Sequence, residues 1–232
     1  MSVVPFEYTI SKALSRTCDY SASMTTQDEA IIIAHLKQLY AEYLHTKDID
    51  SKARFFSSHC RQICRTTPSF AARERSTIMR YLYETAGKDT KTIQNLMQQP
   101  CSSKDGTANL AKDAVEHPSS QKRSYYTIRP LGGREMEFSS DDVVAPAGFS
   151  SAAEIRSQAE AENWIGMRVD LWDDEGMNRQ GREQGILVKV QYWWRKEGAE
   201  WVHILHDIMY IGSRDGTEGS QGEILENDGQ RN

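Results

Sequence analysis

His203 and Asp207 put an imidazole and a carboxylate four residues apart in the last hydrophobic block of the chain, residues 185–212. A histidine takes or gives a proton near neutral pH, and a carboxylate can hold its ring in one tautomer. On a strand the two lie roughly 13 Å apart, at about 3.3 Å per residue, so any cooperation runs through a bound molecule or a third residue such as Tyr192. Asp170 is a second candidate base, because an apolar wall around a carboxyl raises its pKa toward working range. Tyr40, Tyr43 and Tyr192 can donate phenolic hydrogen bonds to a developing oxyanion. Phe56, Trp172 and Trp194 supply apolar walls. Each has a plainer reading. His203 can be a core histidine satisfied by Tyr192, Asp207 can hold an arginine, and Asp170 can pair with an arginine on an exposed sheet face. Tyr40 and Tyr43 can be core residues with wet tips.

The elements that must position these groups follow from periodicity. Ile186, Val188, Val190, Tyr192 and Trp194 fall at every second residue, which is a half-buried strand. Lys196, Glu197, Gly198 and Ala199 form a polar turn, and a second strand returns through residues 201–211. A two- or four-residue turn sets Trp194 opposite Trp201 and Tyr192 opposite His203. A three-residue turn sets Val190 opposite His206. A slip of one residue reverses every side chain. The even-loop register is the better match to the Glu-Gly centre; it turns His203 and Asp207 toward one face and His206 to the other. Residues 164–172 form another alternating strand, with Ile165, Met167, Val169 and Leu171 on one side and Arg168, Asp170 and Trp172 on the other.

Upstream, Asp28 and Glu29 after Thr25 and Thr26 open a helix that runs to about His45, with Ile32, Leu36, Leu39, Tyr40 and Tyr43 as its apolar stripe. Asp48 and Asp50 open a short helix containing Phe55 and Phe56. A short strand at residues 60–65 and a third helix at 73–84 follow. Residues 125–130 form a strand and residues 150–162 a helix. Residues 1–24 predict a flexible extension, 88–124 a polar insertion, and 213–232 a disordered acidic tail. Helices precede strands, which indicates an α+β domain with an antiparallel sheet, spanning residues 25–212.

Composition narrows the function. A net charge of −5 argues against a nucleic-acid partner. No apolar run reaches the roughly 20 residues of a membrane span, and the N-terminus has no signal-peptide core. The four cysteines show no disulfide framework, so a reducing, cytoplasmic location is expected. His59, Cys60 and Cys64 do not make a metal site, because Cys60 and Cys64 on one strand are too far apart to share an ion. There is no phosphate loop, nucleophile elbow or zinc motif, and no metal or cofactor is expected. Trp193, with Val202, Ile204, Ile208 and Tyr210, makes the outer sheet face too apolar to leave wet. It predicts a homodimer through that face, or a cover supplied by the insertion.

Residues 36–82 resemble the opening of the SnoaL-like families of the cone-shaped, nuclear-transport-factor-2-like superfamily. The carrying features are Tyr40 and Tyr43 on the first helix, the Asp48/Asp50 break, the Phe55-Phe56 pair, a short strand and a third helix. The run Glu197-Gly198-Ala199-Glu200-Trp201 matches the closing turn. The resemblance implies a strongly bent antiparallel sheet wrapped around N-terminal helices, a cone-shaped barrel with a central pocket. Such families include polyketide cyclases, ketosteroid isomerase, scytalone dehydratase and non-catalytic scaffolds. The expectation is a small-molecule enzyme doing cofactor-free cyclisation, isomerisation or dehydration on a hydrophobic oxygenated substrate, such as a polyketide or terpenoid of secondary metabolism. His203 and Asp170 would be its acid and base groups, Asp207 the orienter, and Tyr40, Tyr43, Phe56, Trp172, Tyr192 and Trp194 its binding residues. The alternative is a non-catalytic ligand-binding or dimerisation module.

Overall fold

The computed structural model describes residues 26–85, 123–174 and 185–227. The expected N-terminal extension, nearly all of the polar insertion and the last five residues lie outside them.

Helix α1 (Thr26–His45) carries Asp28 and Glu29 in its first turn and buries Leu36, Tyr40 and Tyr43. These three fall at four- and three-residue spacing, so one stripe faces inward. Asp48 caps the short α2 (Ile49–Lys52) by accepting a hydrogen bond from the Ser51 backbone N–H at 2.8 Å. Phe55 closes a 3-10 turn and Phe56 begins β1 (Phe56–Cys64), so the expected second helix ends before its two aromatics. Helix α3 (Arg75–Thr85) buries Ile78. Strand β2 (Arg123–Pro130) leads to the short α4 (Asp141–Val144) and to α5 (Ala152–Ala161). The Ser151 hydroxyl caps α5 by accepting from the Glu154 N–H at 3.1 Å. Strands β3 (Ile165–Asp174), β4 (Ile186–Glu197) and β5 (Glu200–Ser213) follow, with a two-residue β6 (Leu225–Glu226) at the end.

The strands form one curved, unclosed sheet in the order β1-β5-β4-β3-β2-β6. All neighbours are antiparallel except β1 and β5, which run parallel, so the sheet is mixed. The parallel pair follows from connectivity. β1 leaves the helical segment and docks on the free edge of β5, the last long strand, with β2, β3 and β4 coming between the two in sequence. One face packs on α1 and α3 through Leu36, Tyr40, Tyr43, Ile78, Ile128, Met167, Val169 and Trp194. The other buries Ile63, Trp193, Ile204 and Leu205 under Val144, Phe149, Ile155 and Trp164. The cover of the outer face is therefore residues 131–164, folded back from between β2 and β3. Residues 214–227, expected to be loose, also return along the sheet. Asp215 accepts from Lys189 at 2.6 Å, Gln221 accepts from Arg129, and β6 pairs with Tyr125 and Tyr126. Among the described residues, no helix is long and apolar enough to cross a membrane.

The β4–β5 hairpin turns through two residues, Gly198 and Ala199, with Gly198 at a φ of 62°. A positive φ at the first central residue suits a two-residue hairpin, and glycine adopts it without strain. The pairing differs from the expected one. Lys196 faces Trp201 and Trp194 faces His203. The register then shifts between Trp194 and Trp193, so Trp193 pairs with Leu205 and Tyr192 with His206. Ile204 is the extra residue of a β-bulge. A bulge reverses the alternation beyond it. The strand therefore turns both His203 and His206 inward and Asp207 outward, correcting the expectation that His206 faces out and Asp207 in.

Candidate functional site: a buried histidine pair

The concave face gathers Tyr40 and Tyr43 from α1, Phe56 from β1, Tyr192 and Trp194 from β4, and His203 and His206 from β5. His203 is 0% exposed and His206 4%. The two ring planes cross at 70° with centroids 4.8 Å apart. His206 Nε2 and His203 Nδ1 are 3.0 Å apart and share one hydrogen. Aromatic rings wall the pair. The His203 ring centroid lies 3.9 Å from that of Trp194, 4.9 Å from Tyr192 and 5.5 Å from Tyr43. Phe56 lies 5.0 Å from His206. The Tyr192 hydroxyl is hydrogen-bonded to Tyr40.

Burial governs the protonation of this cluster. Desolvation first, then the neighbouring His206, holds His203 well below the usual histidine value. Desolvation alone brings His206 down to about 3. Both rings are therefore neutral at pH 7. Burial likewise pushes the Tyr40, Tyr43 and Tyr192 hydroxyls well above the usual tyrosine value, so they stay protonated donors. Cys60, on the same face, is raised by burial and is a thiol rather than a thiolate. Lys52 lies over the Tyr43 ring at 4.3 Å, and burial lowers it to about 8.

Among the described residues, two polar atoms in this cluster are buried without a hydrogen-bond partner: His203 Nε2 and Trp194 Nε1. Leaving such a group unpaired costs about 1–3 kcal/mol, and native interiors rarely do so without a reason.

The structure brings together Tyr40, Tyr43, Phe56, Tyr192, Trp194 and His203. It does not bring in Asp170, Asp207 or Trp172, which point from the opposite face. Asp170 accepts from Arg168 Nε at 2.6 Å. Asp207 is fully buried and takes a bidentate pair from Arg65 at 2.8 and 2.6 Å. Trp172 stacks on Tyr125, its cross-strand neighbour, with centroids 5.9 Å apart. The arginine-paired alternatives thus describe both carboxylates. His206 is the residue the sequence reasoning missed. Side chains three apart on a regular strand point to opposite faces, and nothing in the sequence marks Ile204 as a bulge.

The homodimer expectation rested on an uncovered outer face. Residues 131–164 cover its apolar part, with the Phe138 ring tilted over Trp193 at a centroid distance of 4.8 Å. Two cavities open on this outer side. One of about 310 Å³ lies between α5 and the Trp193–Phe138 ring pair. The other, of about 290 Å³, lies beside Arg61, Phe149, Glu162 and Arg195. Neither is lined by the histidine pair.

Comparison with known proteins gives one family. The SnoaL-like domain matches residues 24–226. Among solved structures, a chain from Xanthomonas campestris described as a calcium/calmodulin dependent protein kinase II association domain is similar at 10% identity. That match covers 81% of this chain and 91% of the other, with a TM-score of 0.36. No curated protein matches. The family match spans both sheet faces and the helices that carry the tyrosines, and this chain belongs to the SnoaL-like family.

Proposed function

We propose that the interior of this domain is a small-molecule site that works by cofactor-free acid–base chemistry. His203 Nε2 is the proton-transferring atom. Tyr40, Tyr43 and Tyr192 are hydroxyl donors to a substrate oxygen, and Phe56 and Trp194 hold the apolar part. The substrate is a hydrophobic oxygenated compound of the polyketide or terpenoid kind, and the reaction a cyclisation, isomerisation or dehydration, carried out in the cytoplasm. Asp170 and Asp207 take no part, because each serves an arginine on the far face.

One observation carries this reading. A neutral imidazole nitrogen lies unpartnered in an aromatic interior, beside an unpartnered indole N–H. A bound oxygen function would satisfy both kinds of atom. Burial keeps the ring neutral, as a general base must be before it accepts a proton.

A second reading, a non-catalytic module whose interior is filled by its own side chains and takes no ligand, is favoured by the close ring packing around His203. A thermal-shift panel of naphthols, enones, and steroidal and terpenoid ketones separates the two. The enzyme reading expects at least one compound to raise the melting temperature of the full chain, and His203→Phe to abolish that shift while the variant stays folded. If no compound shifts the wild type, or the shift survives His203→Phe, the proposed site is wrong.

A further inference from the structure

We propose that His206 is the second half of a two-imidazole proton relay, taking up the Nδ1 proton of His203 whenever His203 Nε2 gains one. The inference deepens the acid–base reading above and rests on it. Its ground is geometry. The Ile204 bulge places two rings three residues apart on one face, 3.0 Å from nitrogen to nitrogen. One ring presents an unpartnered nitrogen to the interior, and the other stands behind it. Of the two, His206 is the less buried.

A single shared hydrogen couples the two tautomers. If His203 Nδ1 carries it, His206 Nε2 accepts; both rings then have their hydrogen on Nδ1, and His203 Nε2 is a bare base. If His206 Nε2 carries it, both rings have their hydrogen on Nε2, and His203 Nε2–H is a donor. The step between these roles balances. A bond from a substrate atom to hydrogen breaks and His203 Nε2–H forms. His203 Nδ1–H breaks and His206 Nε2–H forms. The substrate keeps the electron pair, His203 ends neutral with its hydrogen on Nε2, and His206 carries the positive charge. The reverse transfer returns the proton to a different substrate atom and resets both rings. A relay of this kind spares His203, the fully enclosed ring, from becoming a cation. Among the described residues, Tyr43 from α1 and Tyr192 from β4 lie against His203, Cys60 from β1 belongs to the same core cluster, and Arg75 from α3 reaches this face by donating to the Phe56 carbonyl at 3.2 Å. Burial keeps Tyr43, Cys60 and Tyr192 uncharged at neutral pH, so none of these three holds a charge on His203.

The test is long-range proton–nitrogen NMR of the full chain carrying ¹⁵N-histidine. At pH 7 the relay expects both rings neutral and of the same tautomer. Opposite tautomers, or a cation on either ring, overturn it. On acidification, within the range where near-UV circular dichroism reports the native fold, the first proton taken up should make His206 the cation and leave His203 neutral with its hydrogen on Nε2. A cation on His203 overturns it. His206→Asn keeps a hydrogen-bond partner on His203 Nδ1 but cannot carry the proton, so this titration step should be lost. If the Asn variant titrates as the wild type does, His206 has only a structural role. The spectra are read without a ligand, so failure of the compound panel and failure of the relay are seen separately.

Discussion

The pair Arg65–Asp207 offers a quantitative check on the register that turns Asp207 away from the histidines. Asp207 accepts two hydrogen bonds from one guanidinium, and its side chain is fully buried while that of Arg65 is 26% exposed. The two partners are therefore unequal. Arg65→Met leaves a carboxylate in the interior with its counter-ion gone. Orphaning one member of a buried pair costs about 3–5 kcal/mol, and the partial exposure of Arg65 trims this to roughly 2–4 kcal/mol, because water can follow into the vacated space. Asp207→Asn removes the charge but keeps an acceptor, and Arg65 can turn its exposed end to solvent, so about 1–2 kcal/mol is expected. At this chain length each kcal/mol moves the melting temperature by about 2–4 °C. Urea titration followed by tryptophan fluorescence at pH 7 gives both numbers. If Asp207→Asn costs as much as Arg65→Met, the one-sided burial argument fails. If it leaves stability untouched and abolishes ligand binding, Asp207 faces the interior and the register is wrong.

Three further outcomes follow from the same geometry. Because His203 and His206 have folded-state pKa values below the ordinary 6.5, protonation favours the unfolded chain; their neutral contribution is complete above about pH 6.5 and is lost as pH falls below it, for His206 as pH approaches about 3. Stability should drop by up to about 1.4 kcal/mol per pH unit per ring, and between pH 6.5 and 5, before most carboxylates titrate, the His203→Gln/His206→Gln double variant should flatten the slope; an unchanged slope refutes the assignment. Gly185 has a φ of 130°, and a Cβ there would sit 2.0 Å from the Asp173 carbonyl oxygen, so Gly185→Ala should destabilise by at least about 2 kcal/mol in chemical denaturation. Trp193→Ala should cost about 3–5 kcal/mol, because the ring is 1% exposed under residues 131–164, yet leave binding to the opposite face intact in the thermal-shift panel.

What was legible in the sequence is what periodicity controls. The stripe of Leu36, Tyr40 and Tyr43 faces inward as its spacing requires, and the alternation through Tyr192 and Trp194 puts both rings on the concave face. The Gly198 turn was legible from composition, and the SnoaL-like assignment from the Asp48/Asp50 break and the Phe55-Phe56 pair. What failed depended on events that periodicity does not record. The bulge at Ile204 changes the parity of β5, which moves His206 in and Asp207 out. Asp170 and Trp172 were candidates because sequence alternation gives two faces without saying which one the helices cover. The cover of Trp193 comes from residues 131–164, whose apolar Val144, Phe149 and Ile155 are too widely spaced to announce a docking surface. The parallel pairing of β1 with β5 is a long-range contact with no local signature.

The measurement that bears most directly on the central claim is titration calorimetry of the best compound from the panel against His203→Asn, Asp170→Asn and Asp207→Asn. An interior run by the histidine pair predicts that His203→Asn loses binding while both aspartate variants bind as the wild type does. Loss of binding in either aspartate variant, with His203→Asn unaffected, would contradict it.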